Sequence, residues 1–232
     1  MIREDGRVRL SASDLMRFMA CAHASFLDRE RMHGRGPVPA EDSADADLLQ
    51  RHGDAHEARH LASLEGVVRI EGLQFDEAVE ATKAALRTGP PVIFQGALAG
   101  GSWGGWSDFL ERVEVPSELG GWSYEVADTK LKRKPSPSHL LQLVLYSDLL
   151  TPLQGKAPER AHVLLGDGSR ASFRLAEYAD YARHARARLE AFVEAPWPTR
   201  PVPCATCDLC RWRIHCAGTW EAEDSLFRVA GI

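Results

Sequence analysis

Apolar positions along the chain switch between a helical and a strand period, and the switches divide it into elements. Residues 7–10 alternate like a short strand. Ser11 or Ser13 can cap a helix, and Leu15, Phe18, Met19, Ala22 and Phe26 then recur at helical spacing, predicting one helix to about Arg31. A Gly/Pro loop covers 34–42. Ser43 opens a second predicted helix that carries Leu48, Leu49, His52, His56, His60 and Leu64 and is ended by Gly66. Residues 67–70 read as a short strand, and 75–88 as a helix stopped by Gly89-Pro90-Pro91. The period then falls to two. Residues 92–98, 105–115 and 121–130 read as strands separated by Gly-rich or Pro/Ser/Gly turns. Pro135 and Pro137 precede a helix over about 138–150. Residues 161–165 and 171–175 predict a hairpin about Gly166-Asp167-Gly168, and 176–193 a helix rich in Ala and Arg. The expected fold class is α/β, a mixed central sheet flanked by helices over 1–198 and a cysteine-rich segment over 199–232.

Composition narrows the function classes. The 232 residues are 44 % hydrophobic and 26 % charged, with net charge −5. That balance argues against a protein that coats nucleic acid over its whole surface, and leaves room for an enzyme with a local basic channel. No apolar run reaches the roughly 18 residues of a membrane span. The N-terminal Met-Ile-Arg-Glu-Asp has no apolar region of the secretory kind. The expectation is a cytoplasmic protein with no membrane partner. Its five cysteines then stay reduced and, at short spacings, read as ligands rather than disulfides.

The chemistry concentrates in 122–130. Side chains alternate along a strand, so Trp122, Tyr124, Val126, Asp128 and Lys130 share one face. A carboxylate can hold a divalent cation through oxygen, and an ammonium two residues on can orient water or steady charge on a phosphate. One strand earlier, Gly104-Gly-Trp-Ser-Asp108 supplies a second carboxylate that strand pairing can bring beside Asp128. Two carboxylates around Mg²⁺ or Mn²⁺ suit metal-assisted phosphodiester hydrolysis. Gln142 and Tyr146, at i and i+4, share a face of the helix that follows. In the second helix His52, His56 and His60 form a stripe, beside Glu57. Cys204-x₂-Cys207-x₂-Cys210-x₅-Cys216 is dense, with Cys21 far upstream. By spacing alone it suits a Zn²⁺ site or an iron–sulfur cluster equally.

With these residues in view, the chain resembles the RecB-like branch of the PD-(D/E)xK nuclease superfamily. The likeness is greatest to its iron–sulfur exonucleases of the CRISPR-adaptation and AddB types. Gly53-x-x-His56-Glu57, Gly105-Trp-Ser-Asp108, Asp128-Thr-Lys130 and Gln142-x-x-x-Tyr146 resemble the four motifs of that branch, in order. The resemblance implies a restriction-endonuclease-like fold and a site in which His56, Asp108 and Asp128 hold Mg²⁺ or Mn²⁺. The Thr129 carbonyl would be a further ligand, Lys130 would position the attacking water, and Gln142 and Tyr146 would support the site or touch DNA. It also implies a [4Fe–4S] cluster on Cys21, Cys207, Cys210 and Cys216, with Cys204 spare. Asp128 stands where many members carry Glu. The expected activity is hydrolysis of DNA, as an exonuclease on single-stranded ends. The alternative is a non-catalytic iron–sulfur module serving a helicase or a CRISPR-adaptation complex.

Lys132, Arg133 and Lys134 adjoin the Asp128/Lys130 strand and are the expected DNA contacts. Trp103, Trp106, Trp122 and Trp212 are candidates for stacking on bases. Arg183, Arg186, Arg188, Arg211 and Arg213 carry charge that ordinary surface solvation explains as well.

Overall fold

Strands that bury residues on both faces build the sheet that carries the molecule. In the computed structural model, which describes residues 1–4, 6–41 and 44–229, the chain begins with a small hairpin of β1 (Ile2–Glu4) and β2 (Arg7–Arg9). Then come α1 (Ala12–Ala20), α2 (Ala22–Met32), α3 (Ala44–Ala62), β3 (Val67–Arg69), α4 (Phe75–Thr88), β4 (Val92–Gly100) and β5 (Trp103–Val113). The second half holds β6 (Ser123–Lys130), α5 (Pro137–Gln154), β7 (Arg160–Leu165), β8 (Arg170–Arg174), α6 (Ala179–Glu194) and α7 (Arg213–Ala222). Strands β3 to β8 form one sheet in sequence order. The β3/β4 and β6/β7 pairs are parallel and the other neighbours antiparallel. Each parallel pair is joined through a helix, α4 in one case and α5 in the other, as a parallel crossover demands. The expected mixed α/β sheet with flanking helices is present.

Most of the apolar mass lies on one face, where α1, α4, α5 and α6 cover Ile93, Leu110, Tyr124, Val126, Ala161 and Val163. The other face holds a smaller cluster under α3, made of Leu61, Val92, Phe94, Phe109 and Ala127. Successive residues of β6 therefore feed opposite layers, which places Asp128 on the α5 side.

Several boundaries depart from the expected ones. Residues 12–32 form two helices, because Cys21 adopts an extended conformation (φ −157°, ψ 102°) and terminates α1 while capping α2. Helix α1 buries Leu15 and Phe18, whereas α2 buries His23, Ser25 and Asp28 along with Ala24 and Leu27, so the apolar period does not mark the break. Ser11 caps α1 and closes a capping box with Asp14. The predicted cap Ser43 lies outside the described residues. Helix α5 starts a residue early at Pro137 and runs to Gln154, past Pro152, before Gly155 stops it in the left-handed region at φ 63°. The last predicted helix begins as a 3₁₀ turn, Leu175–Glu177, before α6. Helix α7 was not foreseen; it buries none of its residues and so has no apolar stripe to betray it. Among the described residues no helix is long and apolar enough to cross a membrane.

Candidate functional site

The β5–β6 ladder ends at the rung Phe109/Ala127, after which β6 continues against β7 alone, from Asp128 opposite Val163 to Lys130 opposite Leu165. Asp108 fills the gap this leaves. Its Oδ2 accepts from the Thr129 N–H at 3.0 Å and from the Thr129 hydroxyl at 3.1 Å. Asp128 is only 1 % exposed. Its Oδ1 accepts from Gln142 Nε2 on α5 at 2.9 Å, while its buried Oδ2 has no hydrogen bond and meets the Lys130 ammonium as an ion pair. Burial pushes the Asp128 carboxyl well above the carboxylate range, and Asp108 pushes further against the opposing pull of Lys130.

A third carboxylate joins them. Glu57 on α3 is half-buried and raised to about 7, first by burial and then by Asp108. Gln95 of β4 donates from Nε2 to both Glu57 carboxylate oxygens at 3.4 Å. Leu61, one turn further along α3, sits among Phe94, Phe109 and Ala127 and thereby turns Glu57 toward the sheet. The neighbouring His56, expected as the metal ligand, is buried with its Nε2 at 3.3 Å from the Leu164 carbonyl on β7. That nitrogen is engaged by backbone. Of the histidine stripe, His52 is exposed and His60 packs edge-on to Phe109. Glu57 and Gln95 are the site residues that sequence reasoning passed over. Glu57 lay inside the quoted motif, and Gln95 had no signal.

Tyr146 is buried, and burial, then Asp108 and Asp128, raise its phenol, so it remains a protonated donor. Gly105 is required beneath it: a Cβ there would stand 2.7 Å from Tyr146 Oη. His139, in the first turn of α5, is lowered to about 4 by burial and by Lys130 and Lys132, so it stays neutral. Asp108 and Asp128 thus meet beside one ammonium in a partly dry place, with Glu57 within electrostatic reach of Asp108 and Lys130. Hard carboxylate oxygens, one of them buried with only the Lys130 ammonium for a partner, fit a divalent cation. Among the described residues, no three His, Cys, Asp or Glu side chains close a coordination sphere as they stand.

The basic segment Lys132, Arg133 and Lys134 follows β6 directly and is exposed. Other candidates are engaged in structure. Arg186 pairs with Asp148, Arg211 with Asp28, Arg183 with Asp180, and Arg213 donates to the Glu41 carbonyl. The indole N–H groups of Trp103, Trp122 and Trp212 donate to Glu190, the Leu86 carbonyl and Asp28. Trp106, half-buried and edge-on to Phe75, has no such bond among the described residues.

At the other end of the molecule all five cysteines line one cavity of about 260 Å³, together with Trp212 and Trp220. Cys204 Sγ and Cys207 Sγ are 3.7 Å apart, and Cys21 Sγ accepts from the Ala24 N–H at 3.4 Å. Burial, then the neighbouring thiols led by Cys210, push Cys216 up to about 11. Convergent thiols of this kind fit a thiophilic metal or cluster, which would stabilise them as thiolates. The tail is tied to the N-terminal helices by Asp28 of α2. This 5 % exposed carboxylate accepts from Trp212 Nε1 at 2.8 Å, from Arg17 at 2.7 Å and from Arg211 Nε at 3.0 Å. No signal in the sequence marked Asp28.

Comparison with known proteins adds little. No family model matches the chain, and no curated protein matches it. Among solved structures, the crystal structure of SSO0001 is similar at 13 % identity and a TM-score of 0.40, over 94 % of this chain and 89 % of that one.

Proposed function

We propose that the chain is a metal-dependent DNA nuclease with a restriction-endonuclease-like fold, acting as an exonuclease on single-stranded ends. The observation that carries this reading is the meeting of Asp108 and Asp128 with Lys130 at the parted end of β5 and β6, with Glu57 within electrostatic reach of Asp108. These three carboxylates would hold Mg²⁺ or Mn²⁺, with Glu57 in the place that the motif resemblance assigned to His56. A bound cation supplies Lewis-acid polarisation of the scissile phosphate and a more acidic water. Gln142 holds Asp128 Oδ1, and Oδ2, paired with Lys130 in the metal-free chain, would turn to the cation when it binds. Lys130, partly exposed beside Asp128, is placed to orient the attacking water and to offset charge on the phosphate oxygens. The Tyr146 phenol stays protonated and so offers an O–H donor. Lys132, Arg133 and Lys134 would track the DNA backbone. The cysteine cavity supports a structural [4Fe–4S] cluster, with Zn²⁺ as the alternative occupant. Brown colour with absorption near roughly 400 nm distinguishes the two, since d¹⁰ zinc gives no such band.

The test is digestion of end-labelled single-stranded oligonucleotides with Mn²⁺ or with EDTA. Cleavage should require the metal, and Asp108→Ala and Lys130→Ala should each lower it by about 10³-fold. Undiminished cleavage by both variants would overturn the mechanism. DNA binding by the unaltered protein with no turnover would favour the second reading, a cluster-bearing module for a helicase or CRISPR-adaptation partner.

A further inference from the structure

The β4–β5 ladder skips one rung. Phe94 pairs with Phe109 and Gly96 with Ser107, while Gln95 and Asp108, the residues between, do not pair. Gln95 stands at φ 55°, in the left-handed region that a non-glycine residue inside a strand rarely adopts. The alternation of side chains slips at the same place. Ile93 belongs to the main core with Leu110, and a Cβ on Gly96, three residues later, would strike Leu110 Cδ1 at 2.8 Å. Strict alternation would put residues 93 and 96 on opposite faces. The kink frees the Gln95 side chain from that rule, and its amide reaches Glu57 on α3, whose neighbour Leu61 lies in the smaller layer. A strained residue that the surrounding sheet over-determines, next to a cluster of carboxylates, is the form that strain takes at functional sites.

We propose that Gln95 is a positioning residue, held at the skipped rung so that its amide aims the Glu57 carboxylate at the Asp108/Asp128 cation position. The inference rests on the metal-centre reading above. Gln95 touches neither substrate nor metal; it acts through Glu57. A merely structural Gln95 predicts something different, because glycine adopts the left-handed conformation without strain. Gln95→Gly keeps the backbone and deletes the amide.

The experiment measures Mn²⁺ affinity of the purified full chain by calorimetry, together with the thermal midpoint in EDTA, for the unaltered protein, Gln95→Gly and Asp108→Ala. The expected result is a Gln95→Gly variant at least as stable as the parent that binds Mn²⁺ about tenfold more weakly, the size of effect seen when a ligand loses its supporting partner. Asp108→Ala should bind far more weakly still. Parental Mn²⁺ affinity in Gln95→Gly, with binding lost in Asp108→Ala, would overturn the role of Gln95 and leave the metal centre standing. Parental affinity in Asp108→Ala would remove the metal centre, and the role of Gln95 with it. Gln95→Asn, which tolerates positive φ but is a methylene shorter, should also fold and bind weakly; parental affinity there counts against aiming by the amide.

Discussion

The carboxylate group and the cysteine cavity are both assembled from distant parts of the chain, but different forces hold them. The carboxylates sit on β5, β6 and α3, elements fixed by a six-stranded ladder and by apolar layers on both faces. Their mutual repulsion is imposed by that scaffold, which can sustain raised protonation equilibria at Glu57 and Asp128. The cavity sits between α2 and a tail whose helix α7 buries nothing. Beyond Trp212 and its small cluster with Ala24 and Leu27, the tail is held by polar ties: Asp28, His23 to Thr199, the Ala40 N–H to the Arg211 carbonyl, and Arg213 to the Glu41 carbonyl. A site imposed by a sheet can stay intact without its ion. A site made by converging loop thiols depends on its ligand for order.

The sharpest way to break that contrast is Asp28→Ala. It strands Arg17, Arg211 and the buried Trp212 N–H, and should cost about 3 kcal/mol, concentrated in the tail. Limited proteolysis should release the cysteine segment while the sheet survives; equal loss of both regions would show that tail and sheet melt together. A strong chelator, which would strip the metal or cluster proposed for the cavity, or Cys216→Ala, should produce the same early, tail-only transition by calorimetry.

Gly105→Ala probes the sheet side. The added methyl would press on Tyr146 Oη, costing about 2 kcal/mol and lowering cleavage without changing metal or cluster content in the cysteine cavity. Unchanged thermal midpoint and rate would show that the α5–β5 contact yields freely.

The smallest effect is in the pH dependence. Glu57 titrates near 7 in the folded chain and near 4.5 when unfolded. The unfolded state therefore gives up its proton first, and the metal-free fold loses stability as pH rises from about 4.5 through 7. Glu57→Gln should flatten part of that fall, by about 1 kcal/mol at pH 8 once screening at this half-buried group is allowed for. Thermal midpoints in EDTA between pH 5 and 8 measure it; parallel curves for parent and variant would place the raised equilibrium elsewhere.

Much of this molecule was legible in short windows of sequence. Alternation over 122–130 set Asp128 and Lys130 on one face, Pro137 marked the start of α5, Ser11 offered a helix cap, and Gly89 closed α4, whereas α3 stops at Ala62, four residues short of the expected Gly66. Such features depend on a residue and its near neighbours, and local sterics and hydrogen bonding settle them. The tertiary structure alone turned Glu57 toward Gln95 and set the His56 Nε2 against the Leu164 carbonyl. Adjacent residues on a helix point about 100° apart, and the packing of Leu61 against Phe94 and Phe109 sets that rotation. It alone kinked β4 at Gln95, broke the first helix at Cys21, and brought Asp28 beneath Trp212. Each of these is a contact between segments remote in sequence, whose cost is met only when the whole sheet and its layers close around it.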